Sequence, residues 1–201
     1  MIIAGHELEY IDEIHTYIVD GVIVPSITQM LKIKFGGKYD GVSKATLESA
    51  AAKGTAVHAA IERFCKDGTE SDLKEVRNFK FLKERYRFNV IDNEVPVILF
   101  KDEKAVGAGR LDLVLEERNE DIEIGGLADI KRTATLDKNY LAYQLNLYRI
   151  AYMQCYGEKI DFLRAIHLRD DTRKYVEIPI NESAAWEIVD KYYEEYRDKQ
   201  E

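Results

Sequence analysis

The chain has 201 residues, of which 46% are hydrophobic and 33% charged, and its formal net charge at pH 7 is -8. This composition is typical of one globular domain with a substantial core, and it excludes a disordered protein. No apolar run approaches the roughly 20 residues that cross a bilayer, so no membrane partner is expected. The start lacks a basic segment followed by an apolar one, so we expect no signal peptide.

Charge is unevenly distributed along the chain. Acids are concentrated at 67–75, 116–123 and 182–201, whereas five lysines precede residue 58 and basic residues follow residue 129. Phosphate binding depends on Lys and Arg, and local clusters matter more than the sum. The net charge therefore neither supports nor excludes a nucleic-acid partner.

Two cysteines, Cys65 and Cys155, lie far apart in predicted helices. This usage indicates reduced thiols in a cytosolic protein. Two thiolates cannot supply the four ligands of an iron–sulfur cluster, so no such cluster is expected.

The first forty residues predict a hairpin followed by a short helix. Asp20-Gly21 stands between two β-branched runs, which is the strongest short-range signal for a hairpin. Ser26 is placed to cap a helix that continues to residue 31. A flexible connection is expected around the glycine pair at 36–37.

The rest of the chain predicts helices and strands in alternating groups. In order, these are helices at about 43–66 and 71–88, strands near 94–100, 105–117 and 122–133, a helix at 136–156, strands near 160–169 and 173–179, and a helix at about 182–198. We expect an interruption of the first helix near Gly54-Thr55, and a cap on the last helix from Asn181.

This order predicts an α/β fold in which a central mixed β-sheet carries helices on both faces. No convincing domain boundary is present, so a single domain over 1–201 is predicted. It would comprise an N-terminal hairpin and helix extension (1–42), a core (43–180) and a C-terminal helix (181–201).

Two neighbouring predicted strands carry acids at matching positions, Asp112 and Asp129. If the polar turn between them centres between residues 120 and 121, the two acids fall opposite each other, with Cβ atoms about 4.5–5.5 Å apart. Lys131 would share the face of Asp129. Carboxylates about 5 Å apart repel by roughly 3 kcal/mol at an effective dielectric of about 20. A divalent cation reverses that repulsion, so the hairpin predicts a metal site.

Two alternatives to the metal site remain open from this hairpin. A bulge at Gly125-Gly126 would shift the pairing. The acids could also lie at solvated strand ends, with Lys131 paired to one of them and no metal present.

Three further features carry weaker signals. His58 and Glu62 share a helix face, although a lone histidine is usually no ligand and Glu62 could simply pair with a nearby base. Gln144 and Tyr148 can donate to phosphate oxygens, although a stripe of Tyr and Leu is usually core. Glu94 precedes a proline-containing strand and is expected to be an edge carboxylate, with a place near the metal as the alternative.

The order of these features along the chain is informative. It is Gly-Thr-x-x-His-x-x-x-Glu, Gly-x-x-Asp, Asp-x-Lys and then Gln-x-x-x-Tyr. This pattern resembles the PD-(D/E)xK nuclease superfamily over residues 50–170, and in particular its RecB-like exonuclease branch, often encoded by phages. The opening Tyr-x-Val-Asp-Gly and Pro-Ser-Ile-Thr segments also resemble phage members. The resemblance implies a restriction-endonuclease-like core.

The resemblance also implies roles for single residues. His58, Asp112 and Asp129 match the metal ligands, together with the backbone carbonyl of Ile130, and Lys131 matches the catalytic lysine.

Further positions match a helix motif and a helix acid. Gln144 and Tyr148 match the motif that helps to position DNA, and Glu62 matches an acid whose role is less settled.

The implied activity is a divalent-metal-dependent deoxyribonuclease, an exonuclease using one or two Mg²⁺ or Mn²⁺ ions. Its partner would be DNA, in phage or prophage recombination or repair in the cytoplasm of a bacterial host. The polarity, the strand preference and any partnership with a single-strand annealing protein or a helicase stay open. Three alternatives are a structure-selective endonuclease, a non-catalytic DNA-binding recombination module and a metal-stabilised protein of unrelated function.

Overall fold

The computed structural model describes residues 1–39, 41–119 and 122–198. The strands are β1 (Ile2–Ile3), β2 (His6–Ile11), β3 (Thr16–Val19), β4 (Val22–Val24), β5 (Phe88–Lys101), β6 (Lys104–Asn119), β7 (Ile122–Lys131), β8 (Phe162–Arg169) and β9 (Thr172–Ile178). The α-helices are α1 (Ile27–Phe35), α2 (Lys44–Asp67), α3 (Lys74–Tyr86), α4 (Lys138–Tyr156) and α5 (Glu182–Asp198).

The main sheet has five strands in the order β5-β6-β7-β8-β9. Strands β7 and β8 run parallel, and the other neighbours are antiparallel. The parallel pair is connected by α4, as a crossover between parallel strands requires. Helices α2 and α3 pack on one face, and α1, α4 and α5 on the other. The predicted α/β fold with a mixed, doubly covered sheet is therefore confirmed.

Two apolar layers hold the helices to the sheet. On one face, Ile61 and Phe79 are fully buried in a cluster with Ile166. On the other, Leu31 and Leu163 are fully buried in a second cluster. Each such side chain contributes about 1.5–3 kcal/mol through burial. Among the described residues, no helix combines the length and apolar character that crossing a bilayer requires.

The N-terminal segment forms a separate four-stranded antiparallel sheet in the order β1-β2-β3-β4. Asp20 and Gly21 both have positive φ (50° and 78°), which is the turn geometry that the Asp-Gly pair predicts. The Ser26 hydroxyl accepts a hydrogen bond from Gln29 N–H, and the Gln29 side chain returns one to Ser26 N–H. This capping box starts α1, which packs against α4 and α5 beside the main sheet.

One sequence-based prediction about the helices is wrong. Helix α2 continues through Gly54 without the expected interruption, because the alanine-rich sequence around it favours a helix and one glycine costs only about 1 kcal/mol. Residues Gly36–Tyr39, where a flexible connection is predicted, form a 3₁₀ turn that follows α1. Helices α3 and α4 begin two to three residues later than predicted, and Asp137 caps α4.

The pairing of β6 with β7 positions the candidate site. The register runs without a shift from Leu113↔Ala128 to Asn119↔Ile122. No bulge occurs at the two glycines of β7, so that alternative is excluded. The central turn residues 120 and 121 lie outside the described residues, but the flanking pairs centre the turn between them, as predicted.

Candidate metal centre

Three acids lie level with one another on three adjacent strands. The β6–β7 register, continued one position beyond Leu113↔Ala128, sets Asp112 across from Asp129. On the other side of β6, the pairs Asn93↔Leu113 and Val95↔Leu111 set Glu94 level with Asp112. Directly opposed like charges destabilise a sheet, so the negative charges of this row must be balanced by positive charges nearby.

Asp112 takes part in the backbone hydrogen bonding of the neighbouring strand. The amide of Ile130 donates to Asp112 Oδ2 at 2.7 Å, where the β6–β7 ladder no longer pairs backbone with backbone. A carboxylate that accepts a backbone N–H is held in place by that hydrogen bond. The Asp112 carboxylate is thus fixed in position at the end of the paired strands.

His58 approaches the same point from α2. Its Nε2 lies 3.0 Å from the carbonyl oxygen of Ile130. A carbonyl only accepts, so Nε2 carries a proton and donates it to this oxygen. Nδ1 lies 3.7 Å from Asp112 Oδ2. An imidazole nitrogen and a carboxylate oxygen this close together can bind one shared cation.

Glu94 completes a group of three possible ligands. One ligand atom each from His58, Glu94 and Asp112 lies within 4.8 Å of the others. Glu94 has a left-handed backbone (φ 52°), which costs about 1–2 kcal/mol for a non-glycine residue. Its Oε2 lies 3.0 Å from Arg110 Nε, within ion-pair distance. Burial, followed by repulsion from Asp112, raises the pKa of Glu94, and Arg110 only partly offsets this.

The three groups border a recess of about 10 Å³, which is the size of roughly one water molecule. Its lining residues are His58, Ile61, Glu62, Asn93, Glu94, Asp112, Leu113 and Ile130. Asn93 Oδ1 is buried and has no hydrogen-bond donor among the described residues. A buried oxygen without a donor, two carboxylates and an imidazole suit a divalent cation such as Mg²⁺ or Mn²⁺.

The buried Asp129 forms an ion pair with the partly exposed Lys131 near this recess. The Lys131 ammonium contacts Asp129 Oδ2, which no other donor reaches within the described part of the chain. Burial, with some repulsion from Asp112, raises the pKa of Asp129 to about 6 although Lys131 lowers it. Burial opposes the charge on Lys131, but Asp129 and Asp112 outweigh it and raise the lysine pKa.

The ligand group therefore differs in part from the sequence-based set. Asp129 does not belong to the three-residue group, and its Oδ2 contacts the Lys131 ammonium. Its role as a metal ligand stays a prediction, as does that of the Ile130 carbonyl, which accepts from His58 here. Glu94, expected to be a plain edge carboxylate, lies in the group instead.

Glu62 lies one helical turn beyond His58 on the border of the recess. Its Oε1 accepts from Lys66 Nζ at 2.6 Å, as the simpler interpretation of this residue predicts. The Glu62 charge still contributes to the raised pKa of Glu94. It acts on the site through its charge.

Gln144 and Tyr148 lie on the buried face of α4, which packs against the main sheet. Gln144 Oε1 is buried and has no hydrogen-bond donor within the described ranges. The Tyr148 ring packs so closely on Gly109 of β6 that an added Cβ would lie 2.8 Å from it. Burial, followed by the Asp112 charge, raises the Tyr148 pKa well above its ordinary value, so its hydroxyl stays neutral.

Comparisons with known proteins assign no family to the chain. No protein family and no curated protein matches the chain. Among solved structures, the crystal structure of SSO0001 is similar, with a TM-score of 0.45 and 14% identity. The match covers 85% of this chain and 74% of that one.

Proposed function

We propose that the chain is a divalent-metal-dependent deoxyribonuclease that hydrolyses phosphodiester bonds at DNA ends. The observation that carries the proposal is the row of acids at 94, 112 and 129, with His58, Glu94 and Asp112 around one recess and Lys131 paired with Asp129 nearby. Motif order and resemblance add support, as does the mixed sheet covered on both faces. A role in phage recombination or repair, in the cytoplasm of a bacterial host, rests on the resemblance.

His58 Nδ1 and the carboxylates of Asp112 and Glu94 would hold a cation, with Asp129 as a further oxygen donor. A bound divalent ion lowers the pKa of a coordinated water and neutralises negative charge at the phosphate. Ile130 organises this donor set through its backbone, because its amide fixes Asp112 and its carbonyl orients the His58 ring. The strand end is therefore preorganised for binding.

Lys131 supplies a fixed positive charge beside the cation site. Its ion pair with Asp129 keeps the ammonium protonated at neutral pH despite burial. An ammonium held in this way can donate to a phosphate oxygen or orient an attacking water without reorganising. Asp129 is expected to set the position of the lysine as well as to add negative charge.

Gln144 and Tyr148 support the site from α4. Tyr148 packs on Gly109, three residues before Asp112, and so fixes β6 close to the acid. Gln144 Oε1, which has no hydrogen-bond partner in the described part of the chain, lies on the same buried helix face. Both side chains are expected to position the reacting groups.

The test is incubation of the purified protein with end-labelled linear DNA and Mn²⁺ or Mg²⁺. Release of labelled nucleotides is expected, with Mn²⁺ at least as effective because imidazole suits softer divalent ions. Lys131→Ala and Asp112→Asn should lose this activity, whereas Lys159→Ala, at the opposite end of β7, should keep it. Undiminished cleavage by Asp112→Asn would refute the proposal. Cleavage of closed circular DNA would identify an endonuclease on the same fold.

A further inference from the structure

A cavity of about 320 Å³ opens beside Lys131, between α1 and the start of α4. The volume is within the range of pockets that bind small molecules, which begins at about 300 Å³. Leu31 and Leu141 contribute aliphatic wall, and Phe35 and Tyr140 contribute aromatic rings with centroids 5.3 Å apart. This wall is mainly apolar and adjoins the candidate metal centre.

Cations border the cavity on two sides. Lys32 extends from α1 and Lys131 from the end of β7. One acid, Asp137, also lies on the wall, where its carboxylate caps α4 by accepting from Tyr140 N–H at 2.9 Å. The cavity therefore joins an apolar interior to a positively charged border, and this border includes the lysine that the proposed function assigns to the reacting phosphate.

We propose that this cavity receives one unstacked nucleobase of the DNA strand whose phosphate lies at Lys131. This assignment rests on the proposed function and specifies the substrate as DNA with one unstacked base at the site. A nucleobase has two apolar faces and is linked to an anionic phosphate, which matches an aromatic and aliphatic pocket with lysines at its border. Stacking on aromatic side chains tolerates any base, because every base has a π-face.

A nucleobase bound in this cavity would favour single-stranded substrates. A base inside a duplex must first unstack and unpair to enter, whereas a single strand or a frayed end presents it directly. The protein is therefore expected to cut single-stranded or frayed DNA in preference to paired DNA, with little dependence on sequence.

The experiment scans one abasic nucleotide along end-labelled single-stranded DNA in the presence of Mn²⁺. One position next to the cleaved bond should lower kcat/KM roughly 10- to 100-fold, because a stacked base contributes about 1–3 kcal/mol. Equal cleavage at every position would overturn the assignment while leaving the nuclease proposal intact. No cleavage of any intact DNA would overturn the nuclease proposal, and this assignment with it.

A variant that fills the cavity provides a second test of the assignment. Thr28 lines the cavity and its side chain is exposed, so Thr28→Trp can place an indole in the cavity without repacking the core. It should lower cleavage of intact DNA roughly tenfold and abolish the effect of the abasic position. Val22→Trp, at a position that is 64% exposed on the N-terminal sheet, adds the same indole outside the cavity and should cleave as the wild type does. A full response of Thr28→Trp to the abasic position would contradict the assignment.

Discussion

Replacing Glu94 by Gln should have opposite effects with and without metal. In the metal-free protein, the charge of Glu94 is unfavourable, as its raised pKa indicates. In the metal-bound protein, the same charge would be a ligand. The substitution keeps the shape of the side chain and removes the charge, so it separates the two effects.

The expected change in the stability of the metal-free protein follows from the distance between Glu94 and Asp112. Two unit charges 4.8 Å apart, the limit for the ligand atoms of Glu94 and Asp112, repel by about 3 kcal/mol at an effective dielectric of about 20. The contact with Arg110 opposes this, but the arginine side chain is 49% exposed, so the pair contributes at most about 1 kcal/mol. We expect Glu94→Gln to raise the unfolding free energy by about 1–2 kcal/mol, or roughly 2–8 °C in Tm.

The metal-bound effect has the opposite sign. At a metal concentration of about 100 times Kd, binding adds about 2.7 kcal/mol to the stability of the wild type. A 10- to 100-fold loss of affinity reduces this gain to about 0.4–1.4 kcal/mol at the same concentration. The variant should therefore be more stable than the wild type in EDTA and gain less from Mn²⁺.

Scanning calorimetry in EDTA and in Mn²⁺ measures both effects on the same samples. Glu48→Gln is a matched control, because Glu48 is an exposed glutamate paired with Lys44. Glu48→Gln should leave unchanged both the stability in EDTA and the gain in stability from Mn²⁺. A Glu94→Gln protein that is destabilised in EDTA and keeps its full gain in Mn²⁺ would show that Glu94 is no ligand.

Three shorter predictions concern neighbouring residues. Lys131→Ala should lower kcat roughly 100-fold or more, and Gln144→Ala should lower it less, as single-turnover assays would measure; the reverse order would contradict their roles. The pKa of Asp129 is about 6 in the folded protein and about 3.9 in the unfolded chain, so the free energy of unfolding of the metal-free protein should fall as pH rises from about 4 to 6. Urea unfolding of Asp129→Asn over the same pH range should show a smaller fall. Gly109→Ala should lower the free energy of unfolding by about 1–3 kcal/mol, because the new Cβ meets the buried ring of Tyr148; an unchanged Tm would show that the ring can move.

The hairpin of β6 and β7 was predictable because its signals are local. A polar turn and two alternating strands fix a register, and no residue is inserted between the turn and the acids at 112 and 129. Helix ends were predictable for the same reason: Ser26, Asn181 and Gly157 act within one turn of the backbone that they cap.

The place of Glu94 was not predictable by this reasoning. The hairpin of β5 and β6 turns at Lys101↔Lys104, and an uninterrupted ladder from that turn would set Glu94 opposite Leu111. A register shift between Leu99 and Phe100 changes the pairing by one residue, so that Glu94 lies level with Asp112. Such a bulge leaves little trace in the alternation of a half-buried edge strand, and it shifts the pairing from Leu99 to Asp92, where a second shift restores the register.

The positively charged partners of the three acids indicate where a cation would bind. Arg110 pairs with Glu94, and Lys131 pairs with Asp129, so each of these charges has a cationic partner. Asp112 accepts a backbone amide and lies near His58, and among the described residues it forms no ion pair with a lysine or an arginine, unlike the other two acids. We accordingly expect a first ion on the Glu94 side of Asp112, with Asp129 holding the lysine in place. Asp112→Asn should then weaken Mn²⁺ binding more than Asp129→Asn does, and equal losses in calorimetric titrations would instead favour an ion shared between the two aspartates.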